Sequence, residues 1–571
     1  MSQSPSTSAS LSTRLIDELR PICLAATGQE RVGHRLLAVT MGLILVSGRT
    51  MLTRVLLALG LGWRDWSATY RLFRQARVDL AVLRRAALTR WLRQYPADGP
   101  LLVVLDGTQL PRTSRTMPGV GFLRAPRTPA WRPGIHYAQR WEGLSGLTPL
   151  RAEGDTRAIP LWFEPAPTPK ASPWAGIAPR PEWAAGLAAL GWLRTELAQQ
   201  AAARREIVVL ADGAYTGAEM WNGVPDHTTL LARCAKNRAL FALPPAPTPG
   251  RGRRRLYGDR APTPQEQRAA PGGWQTVTCQ VRGQERQLRT KLTGPWVVRK
   301  ASAHPVFLIT VAGISRQRGS RRIQRDPTYY LVSARQAATG IWDLPYALQE
   351  LVRWAWQRWE VEVMHRELKS GWGLGDQQQW HPVSAALVPQ WVVWASAMAL
   401  LLAGDTPPVV PATKWYRGRR WTPRDVLTEV RQDLWHQSLP EFLLPAGGCP
   451  TTRVENAAQP PPPLAWLRIA HAISRLNALS CSLPTTFADD VHHAARCKVP
   501  NLRNWPLWPV SADTCAWWAR RLATSPCLTI TYHPGPERGA SVREPCRPSP
   551  RRPVRARPAA AKRHLASPLA A

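Results

Sequence analysis

Two short, unbroken apolar runs, each closed by an aspartate, constrain the fold of this chain more than any other feature. Leu101-Leu-Val-Val-Leu-Asp106 and Ile207-Val-Val-Leu-Ala-Asp212 are too short for helices and have the length and residue types of buried strands. Each would carry a carboxylate at its C-terminal end. An aspartate there often serves only as a turn or cap residue, so the weight rests on the pair and on what the rest of the chain can bring to it.

The pattern around these runs alternates between helix and strand. Residues 1 to about 100 read as helices only. After Gly48, the segment Arg49 to Leu59 has helical apolar spacing, Gly60 and Gly62 stop it, and Ser67 caps a second, Arg-rich helix over Ala68 to Arg77. Two readings stand open here: a helix-turn-helix reader of DNA, and a helical bundle with a solvated basic face. Strand-like pieces follow at about 135–142 and 157–163, then a helix from Pro181 to Arg204. A further strand, Thr229 to Cys234, leads into Lys236 and Arg238. Residues 240–325 are Pro/Gly/Arg-punctuated with short alternating pieces such as Trp274–Val281 and Trp296–Arg299, a β-rich insertion. Tyr329–Val332 returns to a core strand, and Asp343 caps a long helix to about Ser370, ended by Gly371 and Gly373. Helical pieces recur near 423–436 and 464–478, and from about 533 the chain is Arg/Pro/Ala-rich and expected to be disordered.

Charge narrows the partners. Lys and Arg number 75 against 38 Asp and Glu, a net charge of +37 with pI about 11.2, so the molecule attracts polyanions, nucleic acid foremost. Arg, Ala and Pro dominate the basic and small residues, as a GC-rich gene would produce, but the deficit of acids remains. Nine cysteines without a C-x-x-C pair exclude a disulfide scaffold and a zinc ribbon. His492, His493 and Cys497 lack a suitably spaced fourth ligand. The Ser-rich start has no secretory pattern, so a reducing cytoplasm is expected. Val383 to Ala403 is nearly uncharged and long enough to span a membrane, but Pro389 and Gln390 interrupt it and it reads as a buried core helix.

The helix expected over 343–370 holds the third carboxylate. At 100° per residue, Arg358 and Lys369 fall within about 40° of Glu362, whereas Glu360 and Glu367 lie on the far side. An i,i+4 Arg–Glu pair is ordinarily a small surface contribution. On a helix otherwise full of Trp and Val, a carboxylate flanked by two cations suits a hard divalent ion and phosphate together.

With Arg358-x3-Glu362-x6-Lys369 in RWEVEVMHRELK, Asp106 in LVVLDGT and Asp212 in VVLADGAY, the chain resembles the DDE-class insertion-sequence transposases that carry a Tyr-Arg-Glu-Lys signature. Tyr215 matches the family's Asp-x2-Tyr wording. The resemblance covers roughly 45 to 400. The signature tyrosine falls at Ala355, where the neighbouring Trp354 could stack in its place. The resemblance implies an α/β fold: a ribonuclease-H-like mixed sheet with flanking helices, a β-rich insertion between the second Asp and the Glu, and a helical N-terminal domain.

The expected organisation is a helical DNA-binding domain at 1–98 and a catalytic core at 99–239 and 326–405, interrupted by the insertion at 240–325. A helical and Pro-rich region at 406–532 and a basic tail at 533–571 complete it. The implied activity is Mg²⁺-dependent cleavage and strand transfer of DNA, with two ions, replaceable by Mn²⁺, held by Asp106, Asp212 and Glu362. Arg358, Lys369, Lys236 and Arg238 would bind DNA. The implied partners are double-stranded element ends and target DNA and a second copy of the chain in the synaptic complex, with no membrane, in a bacterial cytoplasm at the nucleoid. A catalytically silent DNA-binding descendant and a metal-dependent nuclease without strand transfer are the alternatives.

Overall fold

A computed structural model describes residues 10–436 apart from 63, 97, 127, 130, 150–155, 201, 246–254, 282–283, 319–320 and 409–419. All of them fall in one unit of the chain, Met1–Asn477. The expected helix near 464–478, the His492, His493 and Cys497 group and the basic tail lie outside the described residues.

Five helices come first: α1 (Leu11–Ala25), α2 (Glu30–Leu45), α3 (Leu52–Ala58), α4 (Ser67–Arg74) and α5 (Leu80–Leu92). Ser10 caps α1 and Asp79 caps α5, each accepting a backbone N–H in the first turn. Gly60, with φ +68, turns the chain after α3. Ser67, expected as the α4 cap, makes no capping bond; the cap position is Trp66. Leu72 and Phe73 of α4 are buried, while Arg71 and Arg74 stay exposed.

Strands β1 (Leu101–Pro111), β2 (Val120–Arg124), β3 (Ile135–Leu147) and β4 (Ala158–Pro165) follow. After them come α6 (Glu182–Gln199), β5 (Ile207–Ala211), α7 (Ala218–Gly223) and β6 (Thr228–Cys234). β3 is antiparallel to β1 and β4 to β3, whereas β5 runs parallel to β1 and β6 parallel to β5. This mixed sheet with its helices is compatible with the expected ribonuclease-H-like core.

The chain continues through β7 (Leu240–Phe241), α8 (Pro264–Ala269), β8 (Trp274–Val281), β9 (Gln284–Val298), β10 (Ala301–Val311), β11 (Ile314–Arg318), β12 (Arg321–Arg325), β13 (Thr328–Ser333), β14 (Arg335–Gln336) and β15 (Trp342–Asp343). The region 240–325 is β-rich as expected, but most of its strands are not a separate layer. β13 pairs antiparallel with both β6 and β10, and β10 pairs with β9, so they extend the central sheet to eleven strands. Without β13 the apolar β6 would be left with an open edge, and β10 in turn covers β13.

One long helix from Asp343 was expected; the structure has α9 (Leu348–Gln357) and α10 (Trp359–Ser370), and Asp343 belongs to β15. The ladder tightens at Arg358, where the Val361 N–H donates to the Arg358 carbonyl at 3.1 Å. Backbone angles at Arg358 stay right-handed helical (φ −50, ψ −32), so the i,i+4 relation to Glu362 survives the interruption. Then come α11 (Pro382–Asp405) and α12 (Pro423–His436).

α11 is apolar on all sides because all its sides are covered. It packs against α1, α4, α5, α12 and β4, and 94% of its most apolar window is buried inside the protein. Trp391 lies 5.0 Å from the Phe73 ring and donates its indole N–H to Thr40 Oγ1 at 2.9 Å. The N-terminal helices, the sheet and α11 share one continuous core.

Trp91 of α5 joins the helices to the sheet. Its indole N–H donates to the Leu147 carbonyl at 3.1 Å, and the ring packs against β3 at Gly146, where a Cβ would come within 2.2 Å of it. Gly146→Ala is expected to lower stability by about 1–3 kcal/mol through overpacking, read as an earlier denaturant midpoint. Gly191→Ala, a helix position with open space around its Cβ, is the control and should be neutral or slightly stabilising.

Candidate active site

Parallel pairing sets the two aspartates side by side. The β1–β5 register aligns Val104 with Leu210, which brings Asp106 and Asp212 to matching positions at the C-terminal ends of neighbouring strands. Asp106 lies within β1 and is mostly buried, with 17% of its side chain exposed. Asp212 follows β5 immediately, and its Oδ1 accepts the Ala214 N–H at 2.8 Å, capping a short 3-10 turn over Gly213–Tyr215.

α10 crosses this pair on the Asp106 side of the sheet. His365 Nδ1 stands 3.4 Å from Asp106 Oδ2, and one turn further on Lys369 Nζ donates to Thr108 Oγ1 at 2.7 Å. Asp106 and Thr108 alternate on one face of β1, so α10 lies along that face. Glu362 is one turn before His365, and Arg358 Nη2 donates to its Oε1 at 2.7 Å. Arg358, Glu362 and Lys369 thus share a stripe of the helix, as the sequence predicts.

The opposite stripe is structural. Glu360 is buried and accepts from Arg420 Nη2 at 2.8 Å, and with Glu367, Met364 and Arg157 it borders a cleft away from the aspartates. Ala355, the position of the signature tyrosine, is buried. Trp354 cannot stack on DNA in its place: it is 4% exposed and packs edge-on against Tyr346, with ring centroids 5.0 Å apart. Lys236 is exposed in the loop after β6. Arg238, half-buried in the same loop, donates to the Thr216 carbonyl at 2.6 Å and so braces the turn that follows Asp212.

Asp106 and Asp212 offer the hard oxygen donors that Mg²⁺ prefers, and their chemistry fits such an ion. Among the described residues, however, no three His, Cys, Asp or Glu groups converge on one point. Glu362 accepts from Arg358 through Oε1, which leaves its Oε2 to serve as a ligand.

Sequence reasoning missed three groups. His365 is 7% exposed and its Nε2 has no hydrogen-bond partner; its place three residues after Glu362 was the available signal. Glu142 on β3 pairs with Gly107 across the sheet and is wholly buried. It accepts from Tyr215 Oη at 2.5 Å through Oε1, while Oε2 has no partner. Tyr215, noted only as a motif match, therefore has a definite contact. Glu182 opens α6 with Arg140 3.8 Å away. Burial pushes its carboxyl up, Arg140 opposes the shift, and Asp212 and Asp106 add to it. No signal in the sequence marks Glu142 or Glu182 apart from other strand and helix acids.

Residues 23–295 match the family model of the DDE superfamily endonucleases. The matched span holds both aspartates and ends before the helix that carries Glu362. The match supports a DDE-class transposase, with the nuclease activity and DNA substrate that this class implies; members of the superfamily typically use divalent metals. No curated protein matches the chain significantly.

Burial holds the Glu142 carboxyl well above the usual range, and the nearby charges of Glu182 and Asp106 add to the shift, although the Tyr215 hydrogen bond opposes it. The folded protein therefore keeps a proton that the unfolded chain gives up near the ordinary value of about 4.5. Stability from this source is fully present below that pH and is lost as pH rises through the folded value. Glu142→Gln carries no charge at any pH, so its melting temperature in chelator should decline less steeply than the wild type's above about pH 5. Parallel melting curves for the two proteins would show that Glu142 is not held protonated.

Proposed function

We propose that this protein is a DDE-class insertion-sequence transposase that cleaves the ends of its element and joins them to target DNA. Asp106, Asp212 and Glu362 would hold two Mg²⁺ ions, with Mn²⁺ able to replace them, and the protein would act as a homodimer on paired ends. The observation that carries this reading is the β1–β5 register, which sets two aspartates next to each other beneath a helix bearing a third carboxylate and two cations. Bound ions would supply charge stabilisation at the attacking and leaving oxygens of phosphodiester substitution.

The residues of the chain have separable tasks in this scheme. Arg358 holds Glu362 until DNA arrives and then takes a phosphate oxygen in its place, a role suited to a planar, permanently charged guanidinium. Lys369, steadied by Thr108, grips the backbone beside the scissile phosphate. Lys236 adds a contact near Asp212, and Arg238 keeps the intervening loop in shape. A catalytically silent DNA-binding protein is the second reading, favoured by the Arg358–Glu362 pair and by the absence of a gathered ligand set among the described residues.

Cleavage of DNA carrying the inverted repeats that flank the gene, with and without Mg²⁺, separates these readings. Asp106→Asn, Asp212→Asn and Glu362→Gln are each expected to abolish cleavage, with DNA affinity changed by no more than roughly twofold, because phosphate contacts dominate affinity. Glu367→Gln should cut normally. Metal-independent behaviour of the wild type, with no cleavage under any condition, favours the silent reading; cleavage without joining to target favours a simple nuclease.

Lys369→Ala should lower the slope of log affinity against log salt by about 0.9, the loss of one phosphate contact, and Lys369→Arg should restore part of it. If the lysine only secures α10 to Thr108, the slope will hold while the melting temperature falls.

A further inference from the structure

The hairpin formed by β2 and β3 projects beyond the end of β1. β1 leaves β3 at the Pro111–Ala138 pair, while β2 pairs with β3 from Val120–Gln139 out to Arg124–Ile135. The register also fixes which side chains share a face. Asp106 pairs with Gly143, Thr108 with Trp141 and Leu110 with Gln139, and the same face of β3 continues through Tyr137 and Ile135 to their partners Phe122 and Arg124. The face that carries Asp106 and receives Lys369 therefore continues in register onto the hairpin, across Trp141, Leu110 and Gln139, which are buried between the two.

There it becomes apolar and open. Phe122 is 68% exposed, Ile135 69% and, in the connecting loop, Trp131 87%. Phe122 stands against Tyr137 with ring centroids 4.5 Å apart, a pre-ordered aromatic pair at the surface. Charge is one-sided: between Asp106 and Glu142 the sequence contains six arginines and no Asp or Glu. Arg115, Arg124 and Arg132 of this stretch are exposed.

Exposed rings among phosphate-seeking cations suit a polyanion that also offers free π-faces. A paired duplex hides those faces inside its stack, whereas an unpaired strand presents them. Resting on the DNA reading above, we propose that the β2–β3 hairpin binds unpaired bases of a DNA strand leaving the active site. Phe122 and Trp131 stack on the bases, and Arg115, Arg124 and Arg132 hold the backbone.

The test compares a fully paired duplex with a forked duplex bearing unpaired thymidine arms, one arm carrying 2-aminopurine, both added to the full chain. Wild type should bind the fork about tenfold or more tightly than the duplex and change the 2-aminopurine fluorescence on binding, as expected for stacking on one or two rings. Phe122→Ala with Trp131→Ala should remove both effects and leave duplex affinity in place. Phe122→Leu with Trp131→Leu, which keeps apolar bulk without rings, should behave as the alanine pair does. Equal wild-type affinity for fork and duplex, or a fork preference that survives loss of both rings, overturns the proposal. So does a DNA-free dimer that the alanine pair converts to monomer, because the hairpin is then a contact between copies of the chain. If wild type binds neither probe, the DNA reading itself fails.

Discussion

The hydrogen-bonded register of β1 is the constraint on which the rest of the site depends. Its parallel pairing with β5 aligns Asp212 with Asp106, and its antiparallel pairing with β3 sets Glu142 opposite Gly107. α10 is fastened to it at Asp106 and at Thr108. A slip of one residue would turn Asp106 and Thr108 to the other face of the sheet and detach both contacts together. The buried apolar residues Val103 to Leu105 resist such a slip, since they fill the core immediately before the aspartate.

The end of β1 is secured by a buried cation. Arg112 donates to Gln139 Oε1 at 2.8 Å and to the carbonyls of Gly375 and Gln377, both at 3.0 Å. These partners are all neutral dipoles, and burial draws the guanidinium pKa down to about 10, which still leaves it charged at neutral pH. Removing a buried charge's partners is costly, so the loop that follows α10 is bound to the strand at which the aspartate sits. In the same loop, Gly373 takes φ +66 close against Thr50, and Asp376 accepts the Thr50 N–H at 2.8 Å. The N-terminal helices thereby reach the site's supporting loop.

Much of this was legible in the sequence. The runs ending at Asp106 and Asp212, the strand Thr229–Cys234, the helix after Pro181 and the Arg358, Glu362, Lys369 stripe follow from apolar periodicity and correspond to observed elements. Features that depend on distant partners did not follow. Periodicity shows that Tyr329–Val332 is a strand but not that it pairs with β6, so the insertion looked separate. The helical pattern runs unbroken through Arg358, and only the backbone hydrogen bonds reveal the tightening there. Trp354 looked available for stacking because the sequence does not show that Tyr346 covers it. Glu142 looks like any polar residue of an alternating strand until the fold buries it against Tyr215.

The burial of α11 has a consequence for how the chain is made. Its partners α1, α4 and α5 leave the ribosome well before Pro382 does, and α12, which also packs on α1, follows later still. At ordinary synthesis rates the early helices must wait on the order of tens of seconds for the segment that covers their apolar faces. Throughout that interval the nascent protein presents an uncovered hydrophobic surface, and its safe arrival at the native state depends on holding those helices apart from neighbouring chains until a single late helix closes over them.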